Sequence, residues 1–228
     1  MNKNKLEHIA IILDGNKRWA KKNKLNKIEG YSKGFENLES FVKYCLNIKL
    51  SNLTIFTLSS ENFRRSSINI IYQIIYDNFN KIFSELVKKR GVKVKIFGSR
   101  ENLPSKIKKI FDEIELESSN NNNLNLNIAF NYGFKDEIKN IFNKIKNTNL
   151  DNNFEIENNI RNLFYLGNSP DPDLLIRTGG YQRLSNFIMY NLTYTELFFT
   201  DTLWPEFTEK EFKKIIDKYM IINRKYGL

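Results

Sequence analysis

Three short segments of this 228-residue chain carry the residue types needed to hold a diphosphate: Asp14-Gly15-Asn16-Lys17-Arg18-Trp19, Ser59-Ser60-Glu61-Asn62-Phe63-Arg64-Arg65, and Arg177-Thr178-Gly179-Gly180-Tyr181-Gln182-Arg183-Leu184-Ser185-Asn186. Each joins small residues to arginine and to hydroxyl or amide donors. Glycine lets backbone N–H groups approach a phosphate, a helix start offers its positive end, and a guanidinium fork contacts two oxygens at once. An aspartate at a strand end before glycine, as at Asp14, is a natural hard-oxygen ligand for a magnesium ion that also holds phosphate oxygens. Singly, the segments have plainer readings. Asp-Gly is a common turn, Ser-Ser-Glu a helix cap, and Arg-Thr-Gly-Gly a bulge or turn with a solvated arginine. Their weight comes from coincidence, because all three follow predicted strands.

Those strands are short apolar, β-branched runs: His8 to Leu13, Leu53 to Leu58, Val92 to Phe97, Leu124 to Phe130 and Leu174 to Arg177. Between them the apolar period is helical, most clearly from Ser67 to Arg90, where Ile68, Ile71, Tyr72, Ile75 and Phe79 keep to one stripe and Gly91 supplies a stop. Ile70 and Ile74 fall off that stripe, so this helix is expected to touch apolar material on two sides. Further helices are predicted over Lys33 to Ile48, Pro104 to Glu117, Lys135 to Lys146 and Thr208 to Arg224, with Ser118 to Asn125 and Asn147 to Asn159 as surface connections. Alternation of strand and helix predicts an α/β fold, a mainly parallel central sheet flanked by helices. No repeat or linker divides the chain, so residues 1–228 read as one domain. In open sheets of this kind ligands sit beyond the carboxyl ends of the strands, which is where the three segments fall.

Composition narrows the chemistry. The one cysteine, Cys45, cannot form an intrachain disulfide, and with His8 the only histidine there is no zinc-spaced cluster. No Walker loop, GxGxxG or GxSxG follows any strand, which disfavours nucleotide, dinucleotide and hydrolase-triad readings. The run from Ile9 to Leu13 is far short of the roughly 20 residues that span a bilayer, and no signal-peptide pattern precedes it, so a cytoplasmic protein is expected. Its 36 Lys+Arg against 26 Asp+Glu leave a formal charge of +10. In a chain crowded with Lys, Asn and Ile, most of that excess reads as solvated surface. The sharper reading is attraction to nucleic acid, anionic lipid or a polyphosphate, and the placement of the arginines favours the last.

The segments HIAIILDGNKRWA, TLSSENF, LNIAFNYG, DLLIRTGG, RLSNF and YTELFFTDTLWPEF occur in the order and spacing of the cis-prenyltransferase family, which the chain resembles from His8 to the C-terminus. The resemblance implies an enzyme that condenses isopentenyl diphosphate with an allylic diphosphate such as farnesyl diphosphate, using Mg²⁺ and releasing pyrophosphate. The implied product is a long polyprenyl diphosphate, undecaprenyl diphosphate in bacterial members, which grows in a hydrophobic tunnel. It implies that Asp14 holds the metal and that Gly15, Asn16, Lys17 and Arg18 cradle the allylic diphosphate, with Trp19 beside them. By the same resemblance Ser59, Ser60, Glu61, Asn62 and Phe63 belong to a loop whose asparagine assists proton removal, and Arg65 binds diphosphate. Arg177, Arg183, Leu184 and Ser185 belong to the isopentenyl diphosphate clamp, and Glu196 completes the metal site next to a partner subunit. A homodimer, peripheral contact with the inner face of the membrane, and no nucleic-acid partner follow. Candidate tunnel walls are Ile55, Phe56, Ile68, Ile71, Ile75 and Phe79.

Several positions depart from the family pattern. Lys17 replaces glycine, Lys27 an arginine at a diphosphate contact, Tyr31 a histidine beside the site, Phe63 a tryptophan, Tyr181-Gln182 a Glu-His pair, and Lys225 an arginine. Lys27 keeps charge but loses the fork, Tyr31 cannot carry a proton near neutral pH, and Gln182 removes an imidazole. Asp14, Arg177, Arg183 and Glu196 remain, which separates this chain from the non-catalytic subunits in the family. Two other classes compete: a basic nucleic-acid-binding module, which would show steep salt dependence, and an inactive scaffold that needs a catalytic partner.

Overall fold

A computed structural model describes residues 4–63, 68–147 and 156–225. Six strands form one parallel sheet: β1 (His8–Ile12), β2 (Asn52–Ser59), β3 (Val92–Phe97), β4 (Leu124–Tyr132), β5 (Leu174–Arg177) and β6 (Glu196–Phe199), in the order β3-β4-β2-β1-β5-β6. β1 and β5 are buried at every residue, because a parallel sheet covered by helices leaves its central strands no polar face. At the edge, β3 alternates buried valines with the exposed Lys93 and Lys95.

The helices are α1 (Asn16–Lys22), α2 (Lys27–Asn47), α3 (Ser60–Phe63), α4 (Ile68–Ile82), α5 (Ser105–Glu117), α6 (Phe134–Asn147), α7 (Ile156–Leu163) and α8 (Glu209–Met220). α2 begins six residues before its predicted start. Asn26 and Glu29 form a reciprocal capping box there, and Gly30 and Gly34, which dilute the apolar period, allow α1 to pack closely. A Cβ on Gly30 would lie 2.5 Å from the Asn16 carbonyl oxygen and 2.8 Å from Ala20 Cβ. The predicted helix from Ser67 to Arg90 is α4 followed by a π-helical stretch, Phe83–Lys89. The wider turn lets the consecutive Leu86 and Val87 both be buried. Ser67 and the Phe79 side chain lie outside the described residues.

α8 stops at Met220 rather than Arg224. The chain turns back there, and Arg224 donates to Asp173 Oδ1 at 3.1 Å and to Tyr219 Oη at 3.0 Å. The stretch read as a connection from Asn147 to Asn159 lies partly outside the described residues, and α7 begins within it. Two apolar layers cover the sheet. One packs α2, α4, α5 and α8 on Ile9, Ile11, Leu53, Ile55 and Val94, and the other joins Phe56, Phe97, Tyr132, Leu175 and Phe187 on the opposite face.

Candidate active site

The chain runs from β1 to β2 on one side and from β5 to β6 on the other, so the connections diverge between the adjacent β1 and β5. Divergence opens a crevice at the carboxyl edge. Asp14 lies two residues past β1, and Arg177 ends β5 opposite Ile12. Their side chains meet across the crevice, Arg177 Nη2 to Asp14 Oδ2 at 3.0 Å. The Asp14 backbone is fixed by Thr178, whose hydroxyl accepts from Asp14 N at 3.0 Å and donates to its carbonyl at 2.8 Å. Trp204 N donates to the same carbonyl at 2.9 Å. Gly15 then turns the chain into α1 with φ of +130°, and a Cβ there would sit 2.9 Å from Leu203 and from Trp204 N. Only glycine suits both the angle and the approach.

Arg177 is 3% exposed. Its Nη1 donates to Ser185 Oγ at 2.7 Å and to the Arg183 carbonyl. Ser185 and Asn186 both take left-handed backbone, with φ of 51° and 63°, which turns the Ser185 hydroxyl toward Arg177. From the other side Arg18 Nη2 reaches Asp14 Oδ1 at 3.0 Å, so both oxygens of one carboxylate are held by separate guanidiniums. Among the described residues, the buried side-chain polar atoms without a partner are Asn16 Oδ1 and Arg177 Nε. Both belong to residues lining this cleft. Buried polar groups are nearly always paired, so the unpaired Arg177 Nε–H at a cleft marks a donor that an anionic ligand can satisfy, whereas Asn16 Oδ1 is an acceptor packed against Gly34.

The polar cleft has a volume of about 450 Å³ and adjoins an apolar cavity of about 170 Å³ between the sheet and α2, α4 and α5. Leu13, Asn16, Tyr31, Thr57 and Ile71 line both, so cationic and apolar compartments share a wall. Of the suggested apolar walls, Ile55, Ile71 and Ile75 line the cavity, as does Ile74. Phe56 does not, since it projects from the opposite face of β2 and stacks on Phe187 at 4.6 Å. Ile68 packs against the first apolar layer without lining the cavity.

Twelve of the predicted site residues line the one polar cleft: Asp14, Gly15, Asn16, Lys17, Arg18, Tyr31, Ser59, Glu61, Asn62, Arg177, Arg183 and Ser185. Others do not, for readable reasons. Trp19 is half-buried on α1, and Lys27 is exposed at the first turn of α2. Ser60 points away and donates to Asp136 Oδ2 at 2.6 Å, and with Phe63 it lines a separate pocket beyond the carboxyl ends of β3 and β4. Leu184 packs into the second apolar layer. Arg65 lies outside the described residues.

Glu196 starts β6 opposite Leu174, three residues and so about 10 Å of strand before the level of Arg177. It stands toward the amino end of the sheet, 3.9 Å from Arg224 Nε, and does not join Asp14 within one chain. Among the described residues no three His, Cys, Asp or Glu gather to hold a metal. Sequence reasoning missed Thr178, Thr57 and the Leu203–Trp204 turn, all of which position or line the cleft. Thr178 was legible only as part of Arg-Thr-Gly-Gly.

The single histidine takes no part in the cleft. His8 is fully buried, with Nδ1 2.6 Å from the Pro170 carbonyl and Nε2 2.7 Å from Thr54 Oγ1. A carbonyl can only accept, so Nδ1 carries the proton and Nε2 accepts from the threonine. Burial lowers its pKa to about 4, against a weaker opposing effect of the Pro170 carbonyl. No helix among the described residues is long and apolar enough to cross a membrane.

A family model described as "Putative undecaprenyl diphosphate synthase" matches residues 12–227. The chain is 39% identical over 226 residues to an isoprenyl transferase of Aquifex aeolicus, covering 97% of this chain and 95% of that protein. It is 35% identical over 228 residues to a Pyrococcus furiosus protein named tritrans,polycis-undecaprenyl-diphosphate synthase (geranylgeranyl-diphosphate specific), covering 97% and 86%. Among solved structures, lavandulyl diphosphate synthase from Lavandula x intermedia in complex with dimethylallyl diphosphate superposes with a TM-score of 0.89 at 28% identity, covering 97% of this chain and 98% of that one. With a model match over nearly the whole chain and relatives of this identity along its full length, the chain belongs to the cis-prenyltransferase family and is a prenyltransferase.

Proposed function

We propose that the protein condenses isopentenyl diphosphate with an allylic diphosphate, farnesyl diphosphate by first choice, to make a long polyprenyl diphosphate such as undecaprenyl diphosphate. The observation that carries this is the shared wall: a cleft holding Asp14, Arg18, Arg177 and Arg183 opens against an apolar cavity. Such a pair of compartments suits a molecule with a doubly charged head and a growing hydrocarbon tail. Arg177, Arg183 and Ser185 hold the isopentenyl diphosphate, while Gly15, Asn16, Lys17 and Arg18 hold the allylic one. Fixing both heads sets the isopentenyl double bond against the allylic carbon, which is the main catalytic effect expected of two adjacent anion sites.

The allylic C–O bond breaks and its electrons leave with pyrophosphate. A new C–C bond forms to the isopentenyl carbon, and a proton is then lost to make the cis double bond. Preorganised guanidiniums stabilise charge that grows on the departing diphosphate, so they lower the barrier more than they tighten binding. Asn62 is too weak a base to take the proton alone and orients water or a diphosphate oxygen that does, with Asp14 opposite. Asp14 would hold a Mg²⁺ ion together with substrate phosphate oxygens, and such an ion would supply further neutralisation of the leaving group. Glu196 joins a metal site only if a second copy brings it there. The exposed edge strand β6, with Leu197, Tyr194 and Met189 exposed on or beside it, favours a homodimer through that edge. The exposed Lys21, Lys24 and Lys27 favour a cytoplasmic protein resting on the anionic inner face of the membrane, where a product of this kind would leave.

The test is purified protein with Mg²⁺, labelled isopentenyl diphosphate and, in parallel, farnesyl or geranylgeranyl diphosphate. The geranylgeranyl arm is included because the Pyrococcus furiosus relative is named for that primer. Butanol-extractable product of defined length from the protein alone is expected. Its absence with either primer would remove the reading and favour a scaffold subunit.

A further inference from the structure

We infer that Tyr181 is a positioning residue whose ring gathers the guanidiniums of Arg18, Arg177 and Arg183 and so prepares the cleft for diphosphate. The inference rests on the reading of that cleft as a diphosphate site and adds a residue to it. The three guanidinium carbons lie 4.8, 5.6 and 4.4 Å from the centre of this one ring. All are within the roughly 6 Å at which a cation is attracted by the negative face of an aromatic ring. Three like charges drawn so close repel one another, and Asp14 offers a single carboxylate against them. It engages Arg18 and Arg177 but leaves Arg183 without an ion pair among the described residues. For Arg183 the ring is the holding contact.

The backbone presents the ring rigidly. Gly179 and Gly180 take left-handed φ of 85° and 82°, and their N–H groups donate to the Thr202 and Thr200 carbonyls at 2.8 Å each. Tyr181 therefore starts from a segment pinned to the chain just after β6. The same glycines let Arg18 in. A Cβ on Gly179 would come within 2.5 Å of Arg18 Nη2, so this guanidinium fits between the Gly179 backbone, the Asp14 carboxylate and the Tyr181 ring. Because the ring carries no charge, the cations it holds keep their full attraction for an incoming anion. Arg18 comes from α1, just after β1, and Arg177 and Arg183 from the end of β5 and the segment after it, so the ring ties together cations from both sides of the crevice.

Tyr181 is 44% exposed and on a loop, so its replacement does not threaten the core. The experiment titrates inorganic pyrophosphate into the full-length wild type, Tyr181→Phe and Tyr181→Leu by calorimetry, and measures KM for isopentenyl diphosphate and kcat on the same samples. Leucine removes three weak contacts together and should weaken pyrophosphate binding about tenfold, raise KM, and lower kcat as well, because the loosened guanidiniums also serve the departing diphosphate. Phenylalanine keeps the ring face and should stay within about twofold of wild type on both. Equal binding by Tyr181→Leu and wild type overturns the inference, as does a Tyr181→Phe variant as weak as Tyr181→Leu, which would assign the effect to the hydroxyl. A wild type that binds no pyrophosphate overturns the diphosphate reading itself, and the role of Tyr181 with it.

Discussion

Arg177→Met isolates the clamp from the fold. Arg177 touches Asp14, Ser185 and the Arg183 carbonyl, and its Nε is buried without a partner in a residue that lines the cleft. A bound diphosphate gains charge-assisted hydrogen bonds from this side chain, each worth about 1.5–3 kcal/mol. Losing two removes at least about 3 kcal/mol, or about a hundredfold in affinity for isopentenyl diphosphate. The fold loses less. Arg177 is buried, so removing its ion pair with the partly exposed Asp14 and its bonds to Ser185 and the Arg183 carbonyl costs about 2 kcal/mol, a fall of about 4–8 °C in Tm for a chain of this size. Methionine also removes a buried donor that has nothing to bond. The assay is calorimetric titration of isopentenyl diphosphate, alongside thermal unfolding of the same samples. Arg177→Lys serves as the graded arm, since it keeps charge without the fork and should lose about tenfold. A folded Arg177→Met that binds within threefold of wild type would refute the clamp.

Three further outcomes follow from other parts of the molecule. Val94, paired with Leu126 deep in the apolar cavity, should shorten the longest product when changed to phenylalanine, read by chromatography of the dephosphorylated chains. An unchanged chain length would show that the product does not occupy this cavity. Because His8 has a folded pKa near 4, below its unfolded value near 6.5, it contributes nothing to pH dependence above about pH 6.5. Below that the unfolded state binds the proton first, so stability falls with pH. The loss is about 2 kcal/mol by pH 5, measurable by urea titration, and His8→Gln should flatten that slope. Gly34→Ala would place a Cβ onto Asn16 Oδ1 and 3.1 Å from Trp204 Cδ1, costing about 1–3 kcal/mol in stability by the same titration.

The sequence made the sheet legible because buried parallel strands are unbroken apolar runs bounded by turn residues, as in His8 to Leu13. β6 escaped for the opposite reason: four residues at an edge, with Leu197 exposed, carry no such run. α1 escaped because a seven-residue helix that buries only Ala20 has no period to detect. That Asp14, Arg18 and Arg177 share one cleft was legible, since Asp14 and Arg18 follow β1 and Arg177 ends β5 at the same edge of the sheet. What could not be read was direction. Ser60 and Asn62 are neighbours in one motif, yet Ser60 turns to Asp136 while Asn62 lines the cleft. Phe56 and Ile55 are adjacent, and the strand's two-residue period sends them to opposite faces. Tyr181 looked like a loss of an acidic side chain, and only the folded β5 to β6 segment puts three arginines around its ring. The +10 charge divides in the same way. Lys21, Lys108 and Lys109 lie away from the cleft, whereas Lys17, Arg18, Arg177 and Arg183 line it. A nucleic-acid module would have no need of that placement.

The central claim is that one cleft, organised around Asp14, joins two diphosphates. Its most direct test is incorporation of labelled isopentenyl diphosphate into butanol-extractable product by the wild type and by Asp14→Ala, each purified alone and supplied with Mg²⁺ and an allylic diphosphate. The account predicts long-chain product from the wild type and a loss of at least about a hundredfold in the variant with its fold intact. Near-normal turnover by Asp14→Ala would contradict it.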